Sequence, residues 1–136
     1  MRNPIIAALD APSAEQALKL AQQIAPAVGA FKIGKELFVA AGPDIVRRVR
    51  ATGASVFLDL KFHDIPNTVA KAVASAVRLD VQMLTIHTSG GSEMMRAAEK
   101  AAVFERLFTW LPARSLDTRT PITKCPSKSL RKSRLG

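Results

Sequence analysis

The stretch Leu58–Thr68, LDLKFHDIPNT, sets Asp59, Lys61 and Asp64 within six residues of one another at the end of an apolar run that reads as a strand. Residues two apart on a strand share a face, so Asp59 and Lys61 point one way and Leu58 and Leu60 the other, toward covering helices. Pro66 favours an extended Ile65, which puts Asp64 just beyond the strand. Charges at such a place are costly unless paired. The acid–base–acid order meets that cost, because Lys61 can sit between two carboxylates. Two readings follow. One is an ion network that merely closes the mouth of a sheet. The other is an ammonium held as proton donor, with carboxylates that orient it and repel a like charge on a substrate.

The elements that must position these groups alternate in type over the first hundred residues. PIIAAL reads as a first strand closed by Asp10, and SAEQALKLAQQIA as a helix in which Ser13 and Gln16 have capping-box spacing. AFKIG is a second strand. KELFVAAGPDIVRRVRATG follows as a helix in two pieces, restarted at Gly42-Pro43 with proline in a permitted first-turn position. SVFLDLK is the third strand, NTVAKAVASAVRL a helix that Asn67 or Thr68 could cap, VQMLTIH the fourth strand and GGSEMMRAAEKAA the fourth helix. Strands alternating with helices imply parallel pairing with right-handed crossovers. Asp10, Lys32, Asp59 with Lys61, and His87 then fall at or near the C-terminal ends of successive strands, about one β-α unit apart each time. That end of a parallel sheet is where ligands bind.

The whole chain bounds the answer. Its 136 residues make one domain with a real core, well short of the roughly 200–250 residues of a closed α/β barrel. No apolar run is long enough to span a bilayer, MRNPIIAALD lacks the length of a secretory signal, and the single cysteine, Cys125, fits a reducing compartment. A cytoplasmic protein is expected. The net charge of +9 is uneven: residues 1–100 carry 12 basic and 9 acidic groups (+3), and residues 101–136 carry 8 and 2 (+6). The basicity therefore belongs to a segment, and nucleic acid is not the expected partner. A boundary is placed near residue 102. Residues 103–136 hold Pro112, Pro121 and Pro126 and end in a Ser/Lys/Arg-rich run, so they read as an irregular or disordered basic tail, foreign to residues 1–102.

FLDLKFHDIPNTV resembles the D-x-K-x-x-D signature of the orotidine 5′-phosphate decarboxylase family, which makes UMP in pyrimidine biosynthesis. ALDAP at strand one, FKIGKELF at strand two and TIHTSGG at strand four agree in order and spacing, from about Ile5 to Ala102. The resemblance implies the N-terminal half of a (β/α)8 barrel, an enzyme that works as a homodimer on orotidine 5′-monophosphate, and neither metal nor organic cofactor. Carried over, Lys61 delivers the proton to C6 after carbon dioxide leaves, Asp59 faces the substrate carboxylate, and Asp64 completes the network. Asp10 bonds the ribose and Lys32 contacts it. Asp64, Ile65 and Thr68 reach into the partner subunit's site. Metal-dependent sugar-phosphate relatives share the signature but carry an acid at the end of strand two, where this chain has Lys32.

Other candidates weigh less. His63 reads as a surface or supporting residue, His87 as one that packs near the site, Gly90-Gly91 as a strand-to-helix turn rather than a phosphate cradle, and KSLRKSR as a solvated run. The resemblance also stops at four strands, and no residue after them matches a phosphate-gripping loop, which in such barrels follows strands seven and eight. A half barrel is expected to leave two sheet edges and an apolar inner face open. The chain is then either a weakened decarboxylase or an inactive remnant or module that pairs with a full-length subunit.

Overall fold

The computed structural model describes residues 3–110. Four strands, β1 (Ile6–Ala8), β2 (Ala30–Gly34), β3 (Ser55–Phe62) and β4 (Met83–Ile86), form one sheet in the order β1-β2-β3-β4, and every pairing is parallel. The helices are α1 (Ala14–Ile24), α2 (Lys35–Ala41), α3 (Asp44–Arg50), α4 (Pro66–Val77) and α5 (Gly91–Trp110). The expected alternation is therefore present element by element.

The register explains which face is covered. Ala8 lies opposite Lys32, Lys32 opposite Phe57, and Phe57 opposite Met83, so Ile6, Ala8, Lys32, Phe57, Asp59 and Met83 share one face. The other parity carries Leu9, Phe31, Ile33, Val56 and Leu58, all at most 1% exposed. These pack on Ala17 and Ala21 of α1, Leu37 of α2 and Ile45, Val46 and Val49 of α3. Val69, Val73 and Val77 of α4 with Met94 and Ala98 of α5 form a second cluster against Phe62, Leu84 and Ile86. Among the described residues the helices thus cover one face only. On the inner face Ile6 is 46% and Met83 41% exposed, as a half barrel requires.

Local chemistry accounts for most of the element ends. The Ser13 hydroxyl accepts from the Gln16 N–H and caps α1. Gly42 ends α2 at φ +68°, a conformation glycine adopts without strain. Pro43 then stands at the cap of α3, one residue earlier than the first-turn position expected from the sequence. The cap of α4 also differs from expectation. Neither Asn67 nor Thr68 caps it: Ile65 is the cap residue without a side-chain bond, and Pro66 occupies the first turn, where its missing N–H costs nothing. At the far end, α5 runs unbroken through Ala102 to Trp110, and Arg78 at the end of α4 donates to Glu105 at 2.8 and 3.2 Å. The change in composition near residue 102 is not a break in the backbone. The prolines at 112, 121 and 126, Cys125 and KSLRKSR lie outside the described residues.

Candidate active site

Lys61 owes its position to an irregularity in β3. Leu58 pairs with Leu84 and Phe62 with Ile86, so four steps along β3 match two along β4. The extra residues make a bulge. Within it Lys61 adopts φ +54°, which is strained for any side chain but glycine's. The Lys61 N–H, turned out of the regular ladder, donates to Thr85 Oγ1 at 2.8 Å. The Lys61 ammonium folds back to donate to both Asp59 oxygens, at 2.8 and 2.9 Å. Thr85 Oγ1 in turn donates to Asp59 Oδ1 at 2.9 Å. Asp59 and Lys61 meet as the alternation anticipated, but through a bulge rather than a plain strand.

Asp59 is the settled partner of this pair. Its side chain is 17% exposed against 54% for Lys61. The bonds from Lys61 and then Thr85 hold its carboxyl below the ordinary carboxylate range against the opposing effect of burial, and the charges of Lys61 and Lys32 add to this. A carboxyl depressed in the folded state stabilises the fold above its unfolded pKa, and that contribution disappears as pH falls through the depressed value. Acid unfolding is therefore expected to lose part of its pH dependence in Asp59→Asn. Urea midpoints across the acid range check this, and parallel curves for the two proteins contradict it.

Lys32 and Asp10 form the second pair. The Lys32 ammonium stands 3.4 Å from Asp10 Oδ1, and Leu9 N–H donates to Lys32 carbonyl at 3.0 Å, holding the ends of β1 and β2 together. Gly34 leaves the space beside these two groups open: a Cβ there would lie 3.8 Å from the ammonium and 3.9 Å from Asp10 Oδ1.

Asp64 is not part of either cluster. Its carboxylate accepts from the neighbouring Ile65 N–H at 2.7 Å. Among the described residues the ion pair of Lys61 is with Asp59 alone. The picture of Lys61 between two carboxylates is therefore corrected within one chain, because the bulge turns the ammonium back onto Asp59. Ile65 is 66% exposed and Thr68 is exposed on the first turn of α4. Asp64, Ile65 and Thr68 thus form an outward-facing edge beside the charge network. Among the described residues no cluster of three or more His, Cys, Asp and Glu could hold a metal.

Thr85 was not singled out from the sequence. The signal was available: it lies on β4 two residues from Met83, on the inward parity that also carries Asp59. Thr85→Val keeps the shape but removes the donor to Asp59 and the acceptor for the Lys61 N–H. The expected cost is about 1–3 kcal/mol, read by chemical denaturation. His63 and His87 stack at 5.2 Å between ring centroids, joining the loops after β3 and β4. Ser89 Oγ lies 2.6 Å from His87 Nδ1. A Cβ at Gly90 would collide with Met94 and crowd His63, so this glycine allows the close approach of the turn, as its reading as a strand-to-helix turn requires.

A model of the family described as "Orotidine 5'-phosphate decarboxylase / HUMPS family" matches residues 3–109, most of the chain. The chain belongs to this family. The orotidine 5'-phosphate decarboxylase of Sodalis glossinidius is 55% identical over 101 residues, 74% of this chain and 40% of that protein. That of Moorella thermoacetica is 45% identical over 130 residues, 96% of this chain and 52% of that protein. An alignment of that length runs well past Ala102, so likeness to this relative extends into the segment that composition sets apart. The crystal structure of orotidine 5'-phosphate decarboxylase from Lactobacillus acidophilus superposes with a TM-score of 0.67, with 36% identity over 74% of this chain and 46% of that one. The chain spans about half the length of the relatives it matches, and its sheet is the corresponding half of a (β/α)8 decarboxylase barrel. Among the described residues no helix is long and apolar enough to cross a membrane.

Proposed function

We propose that this chain carries the proton-delivering half of an orotidine 5′-monophosphate decarboxylase site and turns that nucleotide into UMP. The observation that carries the reading is the Thr85–Asp59–Lys61 network on the inner face of a parallel sheet, with Lys32 and Asp10 on the neighbouring strands. Loss of CO₂ breaks the C6–carboxylate bond and leaves the electron pair on C6. The Lys61 ammonium stabilises that charge, then gives up a proton to form the C6–H bond, and water restores the ammonium. Asp59 orients Lys61 and faces the leaving carboxylate. Asp10 and Lys32 take the ribose. Asp64, Ile65 and Thr68, outward-facing, serve the site of a partner subunit in a homodimer.

No metal or organic cofactor enters this scheme, since the lysine itself supplies both the positive charge and the proton. A cytoplasmic location belongs to the same reading and rests on the single cysteine. Incubation with the nucleotide in D₂O tests the reading: UMP should form with one deuterium at C6, and Lys61→Ala should form none.

A second reading is favoured by the open edges of the sheet: an inactive unit that pairs with a full-length subunit. Absence of UMP from the wild-type chain, together with capture by a full-length relative, selects it.

A further inference from the structure

One hydroxyl ties together the two residues on which the proposed reaction turns. Met83 of β4 lies opposite Phe57 of β3, so two residues further on Thr85 has the inward parity of Asp59 and stands beside it across the sheet. A hydroxyl has one proton and two lone pairs. The proton goes to Asp59 Oδ1 at 2.9 Å, because an ionised carboxylate can only accept. The oxygen is then the acceptor for the Lys61 N–H at 2.8 Å. Lys61 closes the ring from its other end, where the ammonium donates to Asp59 Oδ1 at 2.8 Å and Oδ2 at 2.9 Å. Backbone and side chain of one lysine are thus held through one threonine and one aspartate.

Each bond of the ring has its own task. At the bulge the Lys61 N–H has left the regular ladder, and Thr85 supplies an acceptor for it at φ +54°; a backbone donor left without one is costly. The bond to Oδ1 keeps Asp59 ionised, second only to the bond from Lys61. It also fixes the carboxylate from the β4 side, so the ammonium meets an acceptor that does not swing away. Two of the three ammonium hydrogens go to Asp59, which leaves the third for the reacting carbon. A β-branched side chain suits the task, since its stiff χ1 holds the hydroxyl in place. Lys32, whose charge also acts on Asp59, spends its own hydrogen bond on Asp10.

We infer that Thr85 is the positioning residue of this site: its hydroxyl holds the Lys61 backbone in the bulge and the Asp59 carboxylate against the ammonium, and so sets where the proton is delivered. The effect on rate rests on the decarboxylation proposed above. The hold itself does not.

The full chain with Thr85→Val or Thr85→Ser separates the two. Valine keeps the shape and removes the hydroxyl, whereas serine keeps the hydroxyl. NMR reads the hold without any turnover. In Thr85→Val the Asp59 carboxyl should titrate at higher pH than in the wild type, because a bond that lowers it is gone, and the Lys61 amide should exchange with solvent faster. Thr85→Ser should restore both. A merely structural role would lower the urea midpoint of Thr85→Val and leave both signals of the folded protein where they were. Turnover of orotidine 5′-monophosphate reads the consequence. In Thr85→Val kcat should fall on the order of 10²-fold with KM little changed, since Asp10 and Lys32 keep the ribose, and Thr85→Ser should recover most of the loss. Unchanged Asp59 titration and Lys61 exchange in Thr85→Val overturn the inference. So does a Thr85→Val protein with the wild-type kcat, or a Thr85→Ser protein that behaves as the valine form does. If the wild type makes no UMP, the decarboxylation reading fails, and the two NMR signals alone decide whether Thr85 holds the site.

Discussion

Lys61→Ala is expected to reduce conversion of orotidine 5′-monophosphate by on the order of 10³-fold or more, because one group supplies both the fixed positive charge and the proton. The same substitution is expected to leave the chain folded. The Lys61 side chain is 54% exposed and its ion pair with Asp59 lies at the open mouth of the sheet, where such pairs are worth about 0–1 kcal/mol. Alanine suffers the positive φ of the bulge as lysine does, so backbone strain is unchanged. Lys61→Gly separates the two effects: it should be equally inactive, yet about 1 kcal/mol more stable than Lys61→Ala, since glycine takes φ +54° freely. A strained lysine that is easier to replace for stability than for activity is the signature of strain kept for function. UMP formed at the wild-type rate by Lys61→Ala would remove Lys61 from the mechanism, and equal stability of the alanine and glycine proteins would remove the strain.

The sequence made the layer of the fold legible because strand and helix periods differ so strongly. The run AFKIG could only be a short buried strand, and structure places it at Ala30–Gly34. The parity of Phe31 and Ile33 against Lys32 told which side met the helices. The site was legible for a related reason: Asp59 and Lys61 are costly residues at a strand end. What the sequence hid was the bulge, since two extra residues in β3 depend on how β4 pairs with it, and no residue in LDLKF announces a positive φ. Hence the sequence did not show that within one chain Lys61 pairs with Asp59 and not also with Asp64, and Thr85, whose role depends on the same register, was overlooked. Asn67 and Thr68 were good cap residues by type, but Pro66 starts the helix one residue before the first of them and leaves both inside the first turn.

The second large effect tests the one-sided sheet itself, and two phenylalanines make the comparison. Phe31 on β2 is fully buried against the helices. Phe57 on β3 has the opposite parity and faces the uncovered side, partly exposed. The same truncation at both positions removes the same atoms from different surroundings. Phe31→Ala opens a cavity in the core and is expected to cost about 3–5 kcal/mol, a large share of the about 5–15 kcal/mol that holds a domain together. At about 1–3 kcal/mol per molar urea, its midpoint should fall by more than about 1 M. Phe57→Ala loses only partial burial, about 1–2 kcal/mol. Equal costs for the two substitutions would mean that the inner face is covered.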